Sequence, residues 1–308
     1  MIKVKAVLFI ILLAFMHSCG PSTGERIKIK QQQDSITRMD SIARQDSIFR
    51  SKNDLSKMVI KGKVKSITKL TYTAIRKNNE IVKGKLQYKE ITLFNPYGYI
   101  IERSSFEGDG TLRGRDVYTY DDQYRKISES GYNTDGLWDK TLFEYDSIHN
   151  LKGLTIQKRD GTVDEKRTAH YDAKGNMTDV SVYLASGKLY GKILYKYDEN
   201  GMMIEQGQYN PDGSLVGKTR ETYSYDSLKN LTDIKYYNSD GSMDGYYRYH
   251  YNEHSDLIEQ SGYTSEGHRY CYEVYKYEYD QATKNWIKKI RFSHDEPNTV
   301  EERIFEYY

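Results

Sequence analysis

Cysteine and proline are scarce and charge is nearly balanced: 2 Cys, 4 Pro and a net charge of +2 over 308 residues. Two cysteines cannot staple a small disulfide scaffold. One pair remains conceivable, but Cys19 has a better use, set out below. A net charge of +2 gives no overall electrostatic pull toward nucleic acid, and acids and bases are interspersed along the chain. Few prolines beside 23 glycines exclude a low-complexity disordered chain. Tryptophan (2) and phenylalanine (8) are rare, whereas tyrosine occurs 31 times. A tyrosine ring packs like a hydrophobe while its hydroxyl tolerates water. Such a chain suits thin layers of half-buried side chains better than one deep core.

The N-terminus reads as an address. Lys3 and Lys5 precede an apolar run from Ala6 to Phe15. That run is too short to cross a bilayer core of about 30 Å, which takes about 20 helical residues, and it fits the core of a secretory signal peptide. Met16-His17-Ser18-Cys19-Gly20 follows. This resembles a lipobox, the bacterial motif in which the cysteine is acylated and becomes the new N-terminus. The resemblance implies a signal peptide over 1–18 and a lipid anchor on Cys19. Each buried CH₂ contributes about 0.8 kcal/mol, so several acyl chains hold durably. Asp34-Ser35-Ile36, Asp40-Ser41-Ile42 and Asp46-Ser47-Ile48 recur in the next stretch, and no Pro or Gly interrupts 31–58. The expectation over 19–57 is a tether and helical stalk, with a repeat domain over 58–308.

The repeat sets the fold. Tyr-Asp or a close variant recurs about every 26 residues, at Tyr120-Asp121, Tyr145-Asp146, Tyr171-Asp172, Tyr197-Asp198, Tyr225-Asp226, Tyr251-Asn252 and Tyr279-Asp280, with Phe94-Asn95 as a degenerate member. A second marker runs in phase: Gly110, Gly136, Gly161, Gly187, Gly213, Gly241 and Gly267, most of them after an acid or Ser. Asn210-Pro211-Asp212-Gly213 is a turn with a mechanism, in which Pro presets φ and Gly accepts a positive φ to form a bulge. The other turn follows Tyr-Asp, as in Asp172-Ala173-Lys174-Gly175-Asn176. Between the turns apolar residues alternate: Leu189, Gly191, Ile193, Tyr195 and Tyr197 on one face, and likewise Met243, Gly245, Tyr247, Tyr249 and Tyr251. Period two means half-buried strands. Each unit is therefore a β-hairpin. On the returning strands Tyr132, Tyr183, Tyr209, Tyr237 and Tyr263 stand at a fixed offset before the turn glycine, as does Phe106. That offset predicts a ladder of rings, each stacked on its neighbour's equivalent.

With Tyr-Asp, the Gly175-Asn176 turn and the Asp-Gly turn in hand, the region from Ile91 to Tyr308 resembles the YD repeats of RHS-type proteins. Glycines four apart, as at Gly187 and Gly191 or Gly241 and Gly245, also resemble MORN-type repeats. Lys61 to Ile67 looks like the opening strand of repeat-bearing envelope lipoproteins. The RHS likeness implies a sheet that curls. Because this chain has far fewer repeats than the large toxins, the expectation is an all-β antiparallel meander forming a curved, open sheet.

Chemistry-bearing residues are judged against that scaffold. Asp121, Asp146, Asp172, Asp198 and Asp226 come once per repeat, which fits turn chemistry rather than catalysis. An EF-type calcium loop around Asn238 and Asp240 lacks its distal Glu. His250 and His254 are four apart, but they straddle a strand and its turn rather than one helix face. Cys271 between Tyr270 and Tyr272 reads as a small strand residue. No metal site, cofactor or catalytic motif is expected. The leading reading is a non-catalytic lipoprotein of the bacterial envelope, bound to the bilayer through acylated Cys19. It would engage a glycan or an envelope protein through exposed tyrosines, with Tyr132, Tyr183, Tyr209, Tyr237 and Tyr263 as candidate contacts. The alternatives are a toxin-neutralising immunity protein and an envelope hydrolase without a recognisable motif.

Overall fold

The computed structural model describes residues 53–148, 150–216 and 220–308. The expected signal peptide, Cys19 and the expected stalk up to residue 52 lie outside them. The described chain opens with one helical turn, α1 (Asp54–Lys57), and continues entirely in strands. These are β1 (Val64–Lys77), β2 (Glu80–Phe94), β3 (Ile100–Glu107), β4 (Leu112–Tyr120), β5 (Lys126–Asn133) and β6 (Gly136–Tyr145). Next come β7 (Leu151–Lys158), β8 (Val163–Tyr171), β9 (Met177–Leu184), β10 (Leu189–Tyr197), β11 (Met203–Tyr209) and β12 (Arg220–Tyr225). The last are β13 (Leu231–Tyr237), β14 (Met243–Tyr251), β15 (Leu257–Thr264), β16 (Arg269–Tyr279), β17 (Trp286–Ser293) and β18 (Glu296–Tyr307).

Both markers sit where the hairpins turn. Asp121 accepts hydrogen bonds from the backbone N–H groups of Gln123 and Arg125 at 3.0 and 2.8 Å. Asp172, Asp198 and Asp226 repeat the arrangement, and Asn252 substitutes for the acid with the same two bonds. In several units the preceding tyrosine turns inward and donates to the carbonyl that opens the strand before it. Tyr145 reaches Lys126 O at 2.9 Å, Tyr171 reaches Leu151 O at 2.9 Å and Tyr225 reaches Met203 O at 2.7 Å. At the opposite turns the glycine takes the left-handed conformation, as at Gly213 with φ +85°, and Asp212 accepts from Ser214 N at 2.9 Å. The second glycine of each pair has a separate cause. A Cβ on Gly245 would lie 2.5 Å from the carbonyl oxygen of Tyr263 on the next strand.

The open sheet is overturned. Every strand pairs antiparallel with its sequence neighbours, and β1 also pairs with β18, from Val64 opposite Tyr307 to Thr73 opposite Thr299. The 18 strands therefore form a closed barrel. The cause lies in the stagger. Lys89 faces Phe106, whereas Arg115 on the next strand faces Ser104, two residues earlier. The same step recurs in later hairpins, and accumulated stagger and twist bring the ends together. The expected helical stalk is also corrected at its end. Asn53 to Lys57 docks onto the barrel, with Asn53 Nδ2 donating to Tyr97 O at 2.6 Å and Leu55 N to Gly98 O at 3.1 Å. Leu55, Ile60, Val64, Ile67 and Phe94 form a small core there. The rest of the stalk lies outside the described residues.

The inward faces hold the core. Phe143, Leu154, Ile156, Val180, Val182, Ile193 and Tyr195 form one cluster. Tyr223, Ile234, Tyr247, Tyr249, Cys271 and Tyr275 belong to a second. Exposure is 0% at Val180 and Glu273 and 2% at Tyr249, so water does not reach the inner face at these positions.

Candidate functional site

Beside the apolar sector, the inner face of β16 to β18 and β1 to β6 carries charge. Lys289 and Glu301 pair at 2.8 Å. Burial opposes ionisation of Glu301, yet the ammonium of Lys289, with Lys69 behind it, outweighs it and holds the carboxyl below its ordinary range. Burial lowers Lys289 itself against the pull of Glu301. The Arg303 guanidinium sits 3.5 Å from the centre of the Trp286 ring, and burial pulls its pKa down to about 10. Glu273 accepts from the Tyr275 hydroxyl at 2.5 Å. Farther round, Asp116 is pushed up by burial and by the neighbouring Glu129, although Arg103 opposes this. Much of this sector is ion pairs and tyrosine–carboxylate bonds closed among themselves, the usual condition for charge inside a fold. Among the described residues, no group of three or more His, Cys, Asp or Glu is placed to hold a metal ion. His250 faces Glu259 at 3.6 Å, and the His254 ring lies 4.7 Å from Tyr279. The two histidines do not converge on a shared site, and Cys271 is buried in the second core cluster.

The five candidate tyrosines lie on the opposite face. Tyr183 follows inward Val182, and Tyr132, Tyr209, Tyr237 and Tyr263 hold the same outward phase on their strands. All five are half-buried. The predicted ladder of stacked rings does not form. Successive members sit two strands apart, about 10 Å, which exceeds the 4.5–7 Å of ring contacts. The intervening strand supplies a cation in most places instead. Arg115 lies over Tyr132 at 5.7 Å, Arg220 over Tyr237 at 4.7 Å and Lys89 over Phe106 at 5.7 Å. Lys166 faces Tyr183 and Lys192 faces Tyr209 in register. Tyr263 alone has a ring opposite, stacked on Tyr246 at 4.7 Å.

Sequence reasoning missed this basic column, although its signal was present. Lys89, Arg115, Lys140, Lys166, Lys192 and Arg220 each stand five residues before the aromatic of a Tyr-Asp or Phe-Asn pair. They form a third marker in the phase of the other two. The outer surface is thus a hoop in which basic strands alternate with aromatic ones. Below it runs an acidic row, with Glu102, Glu205 and Asp233 pairing with Arg115, Arg220 and Arg248 at 2.6, 3.2 and 3.0 Å. A strand face immersed in lipid must be apolar, because Lys or Arg at the bilayer midplane costs about 2–4 kcal/mol each. This outer face is built for water.

No known protein family matches the sequence, and no curated protein matches it. Among solved structures the chain is similar to a porin-like protein from Bacteroides uniformis, at 11% identity and TM-score 0.42, over 79% of this chain and 98% of that one. It is also similar to the Tc holotoxin pore of Photorhabdus luminescens, at 16% identity and TM-score 0.33, over 71% of this chain but only 12% of the toxin chain. The TcdB2-TccC3 structure gives 12% identity and TM-score 0.29, over 74% of this chain and 15% of that chain.

Proposed function

We propose that the chain is a non-catalytic binding module of the bacterial envelope, tethered to the bilayer through acylated Cys19 and presenting the outside of its barrel to a ligand. One observation carries this reading: cations and half-exposed tyrosines interleave around the outer face, while the inner face is filled and closed to water where its core residues pack. Aromatic faces and basic side chains in alternation suit stacking on sugars and pairing with acidic groups. Much of the interior charge is paired, as Lys289 is with Glu301, which suits a structural role better than acid–base chemistry. The tether enters at the end of the barrel that carries the Tyr-Asp turns, because α1 docks on the β2–β3 turn. The glycine-turn rim and the hoop near it therefore face away from the point of entry.

Two measurements test the proposal. The mature chain is expected in the membrane fraction, and Cys19→Ala is expected to release a folded barrel into the soluble fraction. Persistence of that variant in membranes contradicts the anchor. The soluble barrel is further expected to bind at least one member of a panel of envelope glycans and proteins, with binding weakened by Tyr→Ala changes on the outer row. Turnover of a panel substrate that vanishes on changing one inward carboxylate would instead establish an enzyme.

A further inference from the structure

One row of the inner face breaks the pairing found elsewhere. Asp139 is in phase with the inward Phe143, and the register carries that phase across β5, β4 and β3 to Gly131, Asp116 and Arg103. Arg103 and Asp116 thus face each other directly inside the barrel, on adjacent strands. The Cα atoms of such residues are about 4.5–5.5 Å apart. On the outer face the same opposition, Arg248 against Asp233, closes to an ion pair at 3.0 Å. Arg103 and Asp116 do not close. Among the described residues no ion pair or hydrogen bond joins them, and the buried Nε of Arg103 donates to nothing. Burial opposes the charge on Arg103, but Tyr118, Glu90, Asp116 and Glu129 surround it and hold its pKa above the ordinary arginine value. On the other side of Asp116 stands Gly131. A Cβ there would lie 2.6 Å from Asp139 Oδ1 and 3.6 Å from Asp116 Oδ1, so the two carboxylates lean over the glycine from either side. The inward residues Ser105, Gly114, Gly131 and Thr141 are small where the apolar sector has Leu154, Ile156 and Val182. They are half-buried rather than buried, so water reaches this patch.

Opposite charges set side by side and kept apart in a fold cost stability, and such an arrangement is retained where a ligand completes it. We infer that the inner face of β3 to β6 is a binding site for a small zwitterion carrying an ammonium beside a carboxylate, as a free amino acid does. The guanidinium of Arg103 takes the ligand carboxylate through charge-assisted hydrogen bonds. Asp116 and Asp139 take the ammonium above Gly131, where the missing side chain leaves room for it. The charges of the ligand run in the reverse order to those of the protein, so each meets a counter-charge. A neutral sugar would offer hydroxyls to the same groups but would leave both signs of charge uncompensated. The site lies inside the barrel, apart from the outer hoop, and does not depend on it.

The test titrates the soluble full-length Cys19→Ala chain in a calorimeter with each of the common free amino acids and with glucose. The N-acetyl and amide derivatives of any amino acid that binds complete the set. At least one free amino acid is expected to bind, and blocking either its ammonium or its carboxylate should weaken binding at least about tenfold. Arg103→Gln and Asp116→Asn should each weaken it by a similar factor. Asp116→Asn removes a carboxylate whose burial works against folding, so a raised melting temperature in that variant shows that lost binding is not lost fold. Absence of binding to every free amino acid overturns the inference. So does equal binding of the blocked derivatives, preference for glucose, or binding that survives both substitutions. Each of these results leaves the proposed role of the outer face standing.

Discussion

At the scale of single residues, tyrosine does in this chain what phenylalanine cannot. An inward ring near the end of several even strands packs in the core, and its hydroxyl satisfies a strand-opening carbonyl. Tyr277 donates to Leu257 O at 2.7 Å, with Leu257 buried. Tyr277→Phe is expected to leave that carbonyl unpaired and to cost about 1–3 kcal/mol, read as a lower denaturant midpoint at unchanged m-value. The Tyr-Asp turns contain a second residue-level feature. Their left-handed position is filled by Gly175 and Gly201 in two units but by Lys229 and Ser255 in others, at φ 67° and 62°. A side chain there carries a steric cost, so Lys229→Gly is expected to stabilise the fold by about 1 kcal/mol, measured by the same titration. Sequence alone identified which residues make the turns. It could not show that the aspartate is consumed by two backbone N–H groups, because that depends on the turn closing.

At the scale of elements, the hairpins and their alternation were legible because each strand obeys period two between two strong turn signals. The inward set Ile193, Tyr195, Tyr223, Tyr247 and Tyr249 is the set that alternation puts on one face. The ring ladder was wrong for a geometric reason: a fixed offset from the turn puts equivalent rings on every second strand, and the strand between them decides what each ring touches. Reading the even strands for their own column would have exposed Arg115, Lys166 and Arg220. The inward charges were not legible at all. Glu273, Lys289 and Glu301 look like ordinary surface residues in sequence, and only closure of the barrel buries them. Their environments make pH predictions. Burial and Glu129 raise the Asp116 pKa above the ordinary aspartate value, so its ionisation at neutral pH works against folding. Asp116→Asn is expected to raise the melting temperature at pH 7 and to lose that advantage below the ordinary aspartate range. Glu301 has the opposite sign. Held low by Lys289, it contributes stability above the ordinary glutamate range that disappears as acid protonates it. Glu301→Gln should destabilise at pH 7, leaving Lys289 buried without its counter-charge, and the difference from wild type should narrow in acid.

For the whole molecule, what decides the account is the seam between β1 and β18. β1 itself carries neither repeat marker, so nothing in its sequence announces that its free edge completes a ring. The seam is nonetheless well tied. Asn285 exchanges hydrogen bonds with Lys61 at 2.8 and 2.9 Å, and Tyr308 bonds Lys63 O and Phe94 O at 2.9 and 2.6 Å. Closure removes the sheet edges that would otherwise invite edge-to-edge association. It also fixes which face is inside and hence which residues a ligand can meet. The most direct measurement is a cross-link across that seam. Leu70 and Glu302 face each other in register, at a separation that suits a disulfide. In a Cys19→Ala, Cys271→Ser chain, Leu70→Cys/Glu302→Cys is expected to oxidise rapidly to a monomeric species of altered mobility, with a melting temperature at or above that of the reduced form. Failure of that bond to form in the folded protein, while a control pair at Lys192 and Tyr209 within the sheet forms normally, would contradict the closed barrel.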